Sequence, residues 1–141
     1  MYSKSTMYNI SLRLQEGIPP IPVNEFVIWE ILEPLLQNSI AHNFDREINI
    51  VIATEFCSET RLTKILIADD GSGIREEMLQ EDKNGVKKIF QENVSSSSSE
   101  GQHFGYGCFI AHNMATRLCG WKIDVKNRPE GGCVFTLEIK N

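Results

Sequence analysis

No apolar run in this 141-residue chain approaches the ~20 residues that a membrane-spanning helix needs. No apolar stretch follows Met1-Tyr2-Ser3-Lys4, so a secretory leader is not expected. The four cysteines, Cys57, Cys108, Cys119 and Cys133, form no C-x-x-C pair. That argues against a zinc ribbon and a dithiol redox motif. Most lie in apolar surroundings and are expected to be reduced structural thiols in a cytoplasmic setting. Basic residues are outnumbered, 14 Lys and Arg against 19 Asp and Glu, for a net charge of −5. Broad contact with nucleic acid or an anionic membrane is therefore not expected. A local phosphate site stays open, because a few backbone amides and one metal ion suffice. No internal repeat is present. The 41% hydrophobic content suits a globular protein, and residues 1–141 are expected to form one domain.

A strand is expected at 8–14, where Ile10, Leu12 and Leu14 alternate with polar residues. The proline-rich stretch 17–22 fits neither a helix nor a central strand and reads as an extended connector. Asn24 is a good N-cap for a helix reaching His42. In it Ile28, Ile31, Leu32, Leu35 and Ser39 share one face, and Pro34 should kink it. Strands at 47–53 and 62–69 follow, then short helices after Ile74 and at 85–91. Residues 92–104 include Ser95 to Ser99 in succession, which have little to bury and read as a mobile loop within the domain. A helix then opens at Gly105-Tyr106-Gly107, with Ile110, Met114 and Leu118 at four-residue spacing, and Gly120 ends it. Strands at 121–125 and 133–139 form a closing hairpin. The order predicts an α/β fold, a mixed sheet with helices on one face.

The segment Asp69-Asp70-Gly71-Ser72-Gly73-Ile74 leaves the apolar strand Leu62 to Ala68. An acid at a buried strand end needs a donor, and two spaced glycines admit close approach to the backbone. A flat heterocycle with an exocyclic amine, such as adenine, satisfies both; an acidic turn would read the same way. Asn38 falls on or beside the buried helix face, where its carbonyl oxygen suits a hard cation such as Mg²⁺ or a neighbouring backbone group. Gly105-x-Gly107 at a helix start offers free amides and the positive end of a helix dipole to an anion.

In this order, the Asn box, D-x-G-x-G, flexible lid, G-x-G and a late glycine resemble the GHKL ATPase superfamily. The chain is most similar to the catalytic ATP-binding domain of sensor histidine kinases, over about residues 10–139. The resemblance implies a Bergerat-type two-layer α/β sandwich that binds ATP and Mg²⁺. It implies that Asn38 is the catalytic and metal-coordinating residue and that Asp69 accepts the adenine amine. Gly71 and Gly73 would lie beside the base, with Ile74 packing in its pocket and His42 near the nucleotide. Gly105, Tyr106 and Gly107 would face the phosphates, residues 92–104 would be the lid, and Gly132 and Cys133 would stand where the last glycine and a Thr are common. Ile89-Phe90 is similar to the phenylalanine box before the lid.

There are departures. Pro34 occupies the place of a second Asn, or of the catalytic Glu in chaperone and mismatch-repair relatives, although a subset of sensor kinases also has proline there. Glu33 lies about 140° around the helix from Asn38 and is a poor substitute base. Ala41 replaces a frequent phosphate-contacting Lys, Phe109 a third glycine, and Cys108 a Leu. Among the histidines, His103 at the lid margin reads as solvated and His112 as structural. None resembles a phosphoacceptor, and no dimerisation hairpin is seen before Ile10. The expected activity is transfer of the ATP γ-phosphate to a histidine on the dimerisation domain of a parent kinase. A response regulator would be an indirect partner, and this domain itself would make no contact with nucleic acid or membrane. Whether the parent is membrane-anchored is open. Two alternatives stand beside it: a degenerate GHKL docking module without phosphotransfer, and an anti-sigma-type serine kinase.

Overall fold

Alternation of apolar and polar residues builds the sheet. In the computed structural model, which describes residues 8–21, 23–43, 46–92 and 104–140, and only the backbone of residues 42 and 104–106, five strands form one sheet. They are β1 (Tyr8–Arg13), β2 (Ile48–Cys57), β3 (Leu62–Asp69), β4 (Lys122–Asn127) and β5 (Cys133–Lys140). Their order is β1-β2-β3-β5-β4. β1 and β2 are parallel, and the remaining neighbours antiparallel. The parity of β3 decides the site. Thr63, Ile65, Ile67 and Asp69 are its buried residues, so the acid at its end lies on the same face as the core. Across the sheet Ile67 pairs with Phe135, and Phe135 with Val125; all three are 1% exposed. Burying each such side chain contributes about 1.5–3 kcal/mol.

Two helices lie against the sheet's core face. α1 (Glu25–His42) begins where Asn24 Oδ1 accepts the Phe26 N–H at 2.8 Å, as the sequence predicts, and runs through Pro34 as one helix. Ile31, Leu35 and Ser39 are buried. α2 (Phe104–Asn113) continues into a π-helical turn at Met114–Leu118.

Two expectations require correction. The helix expected at 85–91 is only a 3₁₀ turn, Lys88–Phe90. Asp82 Oδ1 accepts the N–H groups of Asn84 and Val86, and an aspartate that bonds its own following backbone competes with a helix. Along α2 and the turn after it, Ile110 and Leu118 are 37% and 69% exposed, whereas Cys108, Ala111 and Ala115 are 0% exposed. Small residues let α2 approach α1 closely, so the large ones are turned outward. The strand expected at 47–53 extends to Cys57, because its pairing with β3 continues to Cys57 opposite Leu62.

Candidate nucleotide-binding site

The site gathers at the C-terminal end of β3. Asp69 is 2% exposed. Its Oδ1 accepts the Gly71 N–H at 2.9 Å and its Oδ2 the Ser39 hydroxyl at 2.8 Å, with the Cys133 thiol at 3.5 Å from Oδ2. A carboxylate has about four lone-pair sites, so acceptor capacity is left for a further donor. The neighbouring acid is committed elsewhere. Asp70 accepts the Asn49 backbone N–H at 2.8 Å and the Asn49 side-chain amide at 2.9 Å, and these bonds hold its carboxyl below the ordinary value. Asp69 is thus the acid turned toward the helices, and Asp70 fastens the loop to β2.

Three of the predicted glycines have a steric reason. A Cβ on Gly132 (φ +82°) would fall 1.9 Å from the Asp69 carbonyl oxygen, and one on Gly71 would fall 2.3 Å from Asn43 Oδ1. Gly73 (φ +85°) faces Asn127 Oδ1, 3.0 Å from its would-be Cβ. Asn127 also pins the loop directly. Its Oδ1 accepts the Ile74 N–H and its Nδ2 donates to the Ile74 carbonyl, both at 2.7 Å. Arg128 donates to the Asp69 carbonyl at 2.8 Å and is paired with Glu130. Asp69, Gly71, Gly132 and Cys133 are therefore in one place, with Gly73 and Ile74 tied to them through the β4–β5 turn.

Asn38 is 5% exposed, and its Oδ1 is buried without a hydrogen-bond partner. An unpaired buried carbonyl oxygen costs about 1–3 kcal/mol and is a ready ligand for a hard cation. Among the described residues no group of three or more His, Cys, Asp or Glu could hold a metal ion. A cation here would draw on this amide and on oxygens of the ligand and water.

Phe104 to Gly107 form the first turn of α2, where backbone N–H groups have no partner within the helix. A Cβ on Gly107 would meet Pro34 Cβ at 3.5 Å, so this glycine also serves the close crossing of α1 and α2. The side chains of Tyr106 and His42 lie outside the described residues, as do His103 and nearly all of the expected lid, residues 92–104. Burial raises the Cys108 thiol to about 12. The Cys133 thiol is likewise raised, first by burial and then by the charge of Asp69. Neither is a ready nucleophile. His112 stacks on Phe90 at 4.9 Å, and burial lowers its pKa; it is a packing residue, as the sequence predicts.

The sequence did not point to Ser39, Asn43, Asn127 or Arg128. Their partners are 30, 29, 53 and 59 residues away along the chain. The only local signal is that Ser39 and Asn43 sit beside Asn38 and His42, which the sequence had already singled out.

No curated protein matches the chain. Among solved structures it is similar to the catalytic domain of histidine kinase ThkA, with 23% identity over 94% of this chain and 79% of that one, and a TM-score of 0.73. It is also similar to the mycobacterial sensor histidine kinase MprB, with 12% identity over 94% and 82%, and a TM-score of 0.70. Full-length ShkA, solved in complex with AMPPNP, shares 17% identity over 94% of this chain and 25% of its own length, with a TM-score of 0.73. These likenesses establish a common α/β fold. Residues 24–141 match the sequence model of the histidine kinase-, DNA gyrase B-, and HSP90-like ATPases, and the chain belongs to that family.

Proposed function

We propose that the chain is the single catalytic domain of a sensor histidine kinase, binding Mg²⁺-ATP and passing its γ-phosphate to a histidine on a separate dimerisation domain. One observation carries most weight: the buried Asp69 carboxylate with spare acceptor capacity lies beside a helix whose Asn38 Oδ1 is buried and unpaired. Asp69 accepts the adenine amine, Gly71, Gly73, Gly132 and Cys133 shape the base site, and Ile74 lines it. Asn38 holds Mg²⁺ together with phosphate oxygens. The first-turn amides of α2, at Gly105, Tyr106 and Gly107, face the phosphates, His42 lies near the nucleotide, and residues 92–104 form the lid. Bound Mg²⁺ neutralises phosphate charge. The chain's own residues supply position and electrostatic support.

In the transfer itself an imidazole nitrogen of the acceptor bonds to the γ-phosphorus as the bond to the β–γ bridging oxygen breaks, leaving ADP. Pro34 stands where relatives that hydrolyse ATP carry a carboxylate, and it cannot activate water. The isolated domain therefore holds ATP and hydrolyses it slowly. ThkA has been solved in complex with the response regulator protein TrrA, which supports a response regulator as the indirect partner here. Among the described residues no helix is long and apolar enough to cross a membrane; a cytoplasmic location is part of this proposal.

The test is incubation of the chain with γ-labelled ATP, alone and with a histidine kinase dimerisation domain. Acid-labile label on the added domain, with little free phosphate from the chain alone, is expected. Rapid hydrolysis by the isolated chain, or acid-stable phosphoserine on the added protein, would sink the assignment.

A further inference from the structure

The end of α1 contains a polar residue that the function just described leaves unused. Asn43 follows the last residue of α1 and is 3% exposed. An amide buried that deeply must be satisfied, and its bonds are unusually informative. Its backbone N–H goes to the Ile40 carbonyl at 3.2 Å, not to the Ser39 carbonyl four residues back. Asn43 Nδ2 donates to that carbonyl instead, at 2.7 Å. Its Oδ1 accepts the Ser72 N–H at 3.0 Å and the Ser72 hydroxyl at 3.3 Å. Gly71 presses on the same amide so closely that no Cβ fits there.

These bonds close a ring. Ser39 donates its hydroxyl to Asp69, Asp69 accepts from Gly71, Ser72 donates to Asn43, and Asn43 returns to the Ser39 carbonyl. The helix that carries Asn38 and the loop that carries Asp69 are thereby fastened at two points, one through Ser39 and one through Asn43. Core packing holds the body of α1 through Ile31 and Leu35; the two tethers act on its last turn, where they restrict how Asn38 sits relative to the carboxylate.

We propose that Asn43 is a positioning residue that holds the cation-facing Asn38 in register with the base-facing Asp69. The proposal rests on the reading of this site as a Mg²⁺-ATP site. It makes the gain in nucleotide affinity from Mg²⁺ depend on a residue that touches neither the cation nor the nucleotide. Groups bonded directly to a metal ligand commonly change metal affinity by about 10–100-fold; Asn43 acts one step further out, through Ser39 and Ser72, so its effect belongs at the lower end, about tenfold.

The experiment uses calorimetric titration of three ligands into wild type, Asn43→Ala and Asn43→Leu: adenosine, ADP with EDTA, and ADP with Mg²⁺. Adenosine reports the base site alone. The ratio of the two ADP affinities reports the cation's gain. Asn43→Leu keeps the shape of the side chain without its donor or acceptor and adds no charge, so it remains informative if the cavity left by alanine makes that variant fold poorly. Amide exchange at Ser72, measured without ligand, checks that the tether has been cut in Asn43→Ala. The expected result is a fall of about tenfold in the Mg²⁺ gain, with adenosine affinity much less changed. A role in folding alone would weaken adenosine and Mg²⁺-ADP by one common factor and leave the ratio intact, which overturns the proposal. Wild type that binds adenosine and ADP without any gain from Mg²⁺ also overturns it, while leaving the base site standing. Wild type that binds none of the three overturns the functional reading and this proposal with it.

Discussion

Gly132→Ala separates backbone conformation from close packing at the site, because Gly17 provides a control. Both glycines are left-handed, at φ +82° and +79°. A Cβ on Gly17 would meet nothing within 4 Å, whereas one on Gly132 would meet the Asp69 carbonyl oxygen at 1.9 Å, its carbon at 2.6 Å and Asp70 Cα at 2.8 Å. In Gly17→Ala the conformational cost acts alone, about 1–2 kcal/mol. In Gly132→Ala the obstructing atoms are backbone, so no side chain can swing aside. The hairpin must move away from β3. That motion disrupts the bond from the Arg128 guanidinium to the Asp69 carbonyl, 2.8 Å long. A bond from a charged donor is worth about 1.5–3 kcal/mol, for a total of about 2.5–5 kcal/mol. Total stabilities are about 5–15 kcal/mol, so the variant should be near its folding limit. Urea unfolding of wild type and both variants measures the difference. Equal shifts for the two would refute the idea that the hairpin is packed directly on the Asp69 backbone.

Other predictions concern single features. Asn127→Ala removes both bonds to Ile74 and should cost about 1–3 kcal/mol, with faster amide exchange at Ile74 as its local signature. Ala111→Leu should destabilise by about 1–3 kcal/mol through overpacking, whereas Leu118→Ser, at a residue 69% exposed, should stay within about 0.5 kcal/mol; urea midpoints decide between the buried and the outward side. The Asp70 carboxyl is held low by Asn49. Its stabilisation is complete above the unfolded value of about 3.9 and is lost as pH falls through the lower folded value. Asp70→Asn should therefore be less stable than wild type at pH 7, and the gap should close below about pH 4; a constant gap from pH 7 to pH 3 would contradict this.

What the sequence makes legible follows from range. The burial of Asp69 could be read because strand parity is local, and Asn24, Gly120 and the alternation of β5 are local as well. The four-residue spacing of Ile110, Met114 and Leu118 does not by itself show which face of α2 is buried. The buried seam instead uses Cys108, Ala111 and Ala115, and the π turn at Met114–Leu118 shifts the phase by inserting an extra residue. Asn43 and Asn127 could not be read, since short polar residues near helix ends and turns look like ordinary turn formers. Only the fold brings them to Ser72 and Ile74.

The central claim, that Asp69 and Asn38 form an adenine-nucleotide site, is tested most directly by calorimetric titration of ADP with Mg²⁺ into wild type and Asp69→Asn. The site described here predicts clear binding by wild type and its loss in the variant, because an amide nitrogen placed opposite the base amine offers a donor where an acceptor is needed. Equal binding by both proteins, or none by folded wild type, would contradict it.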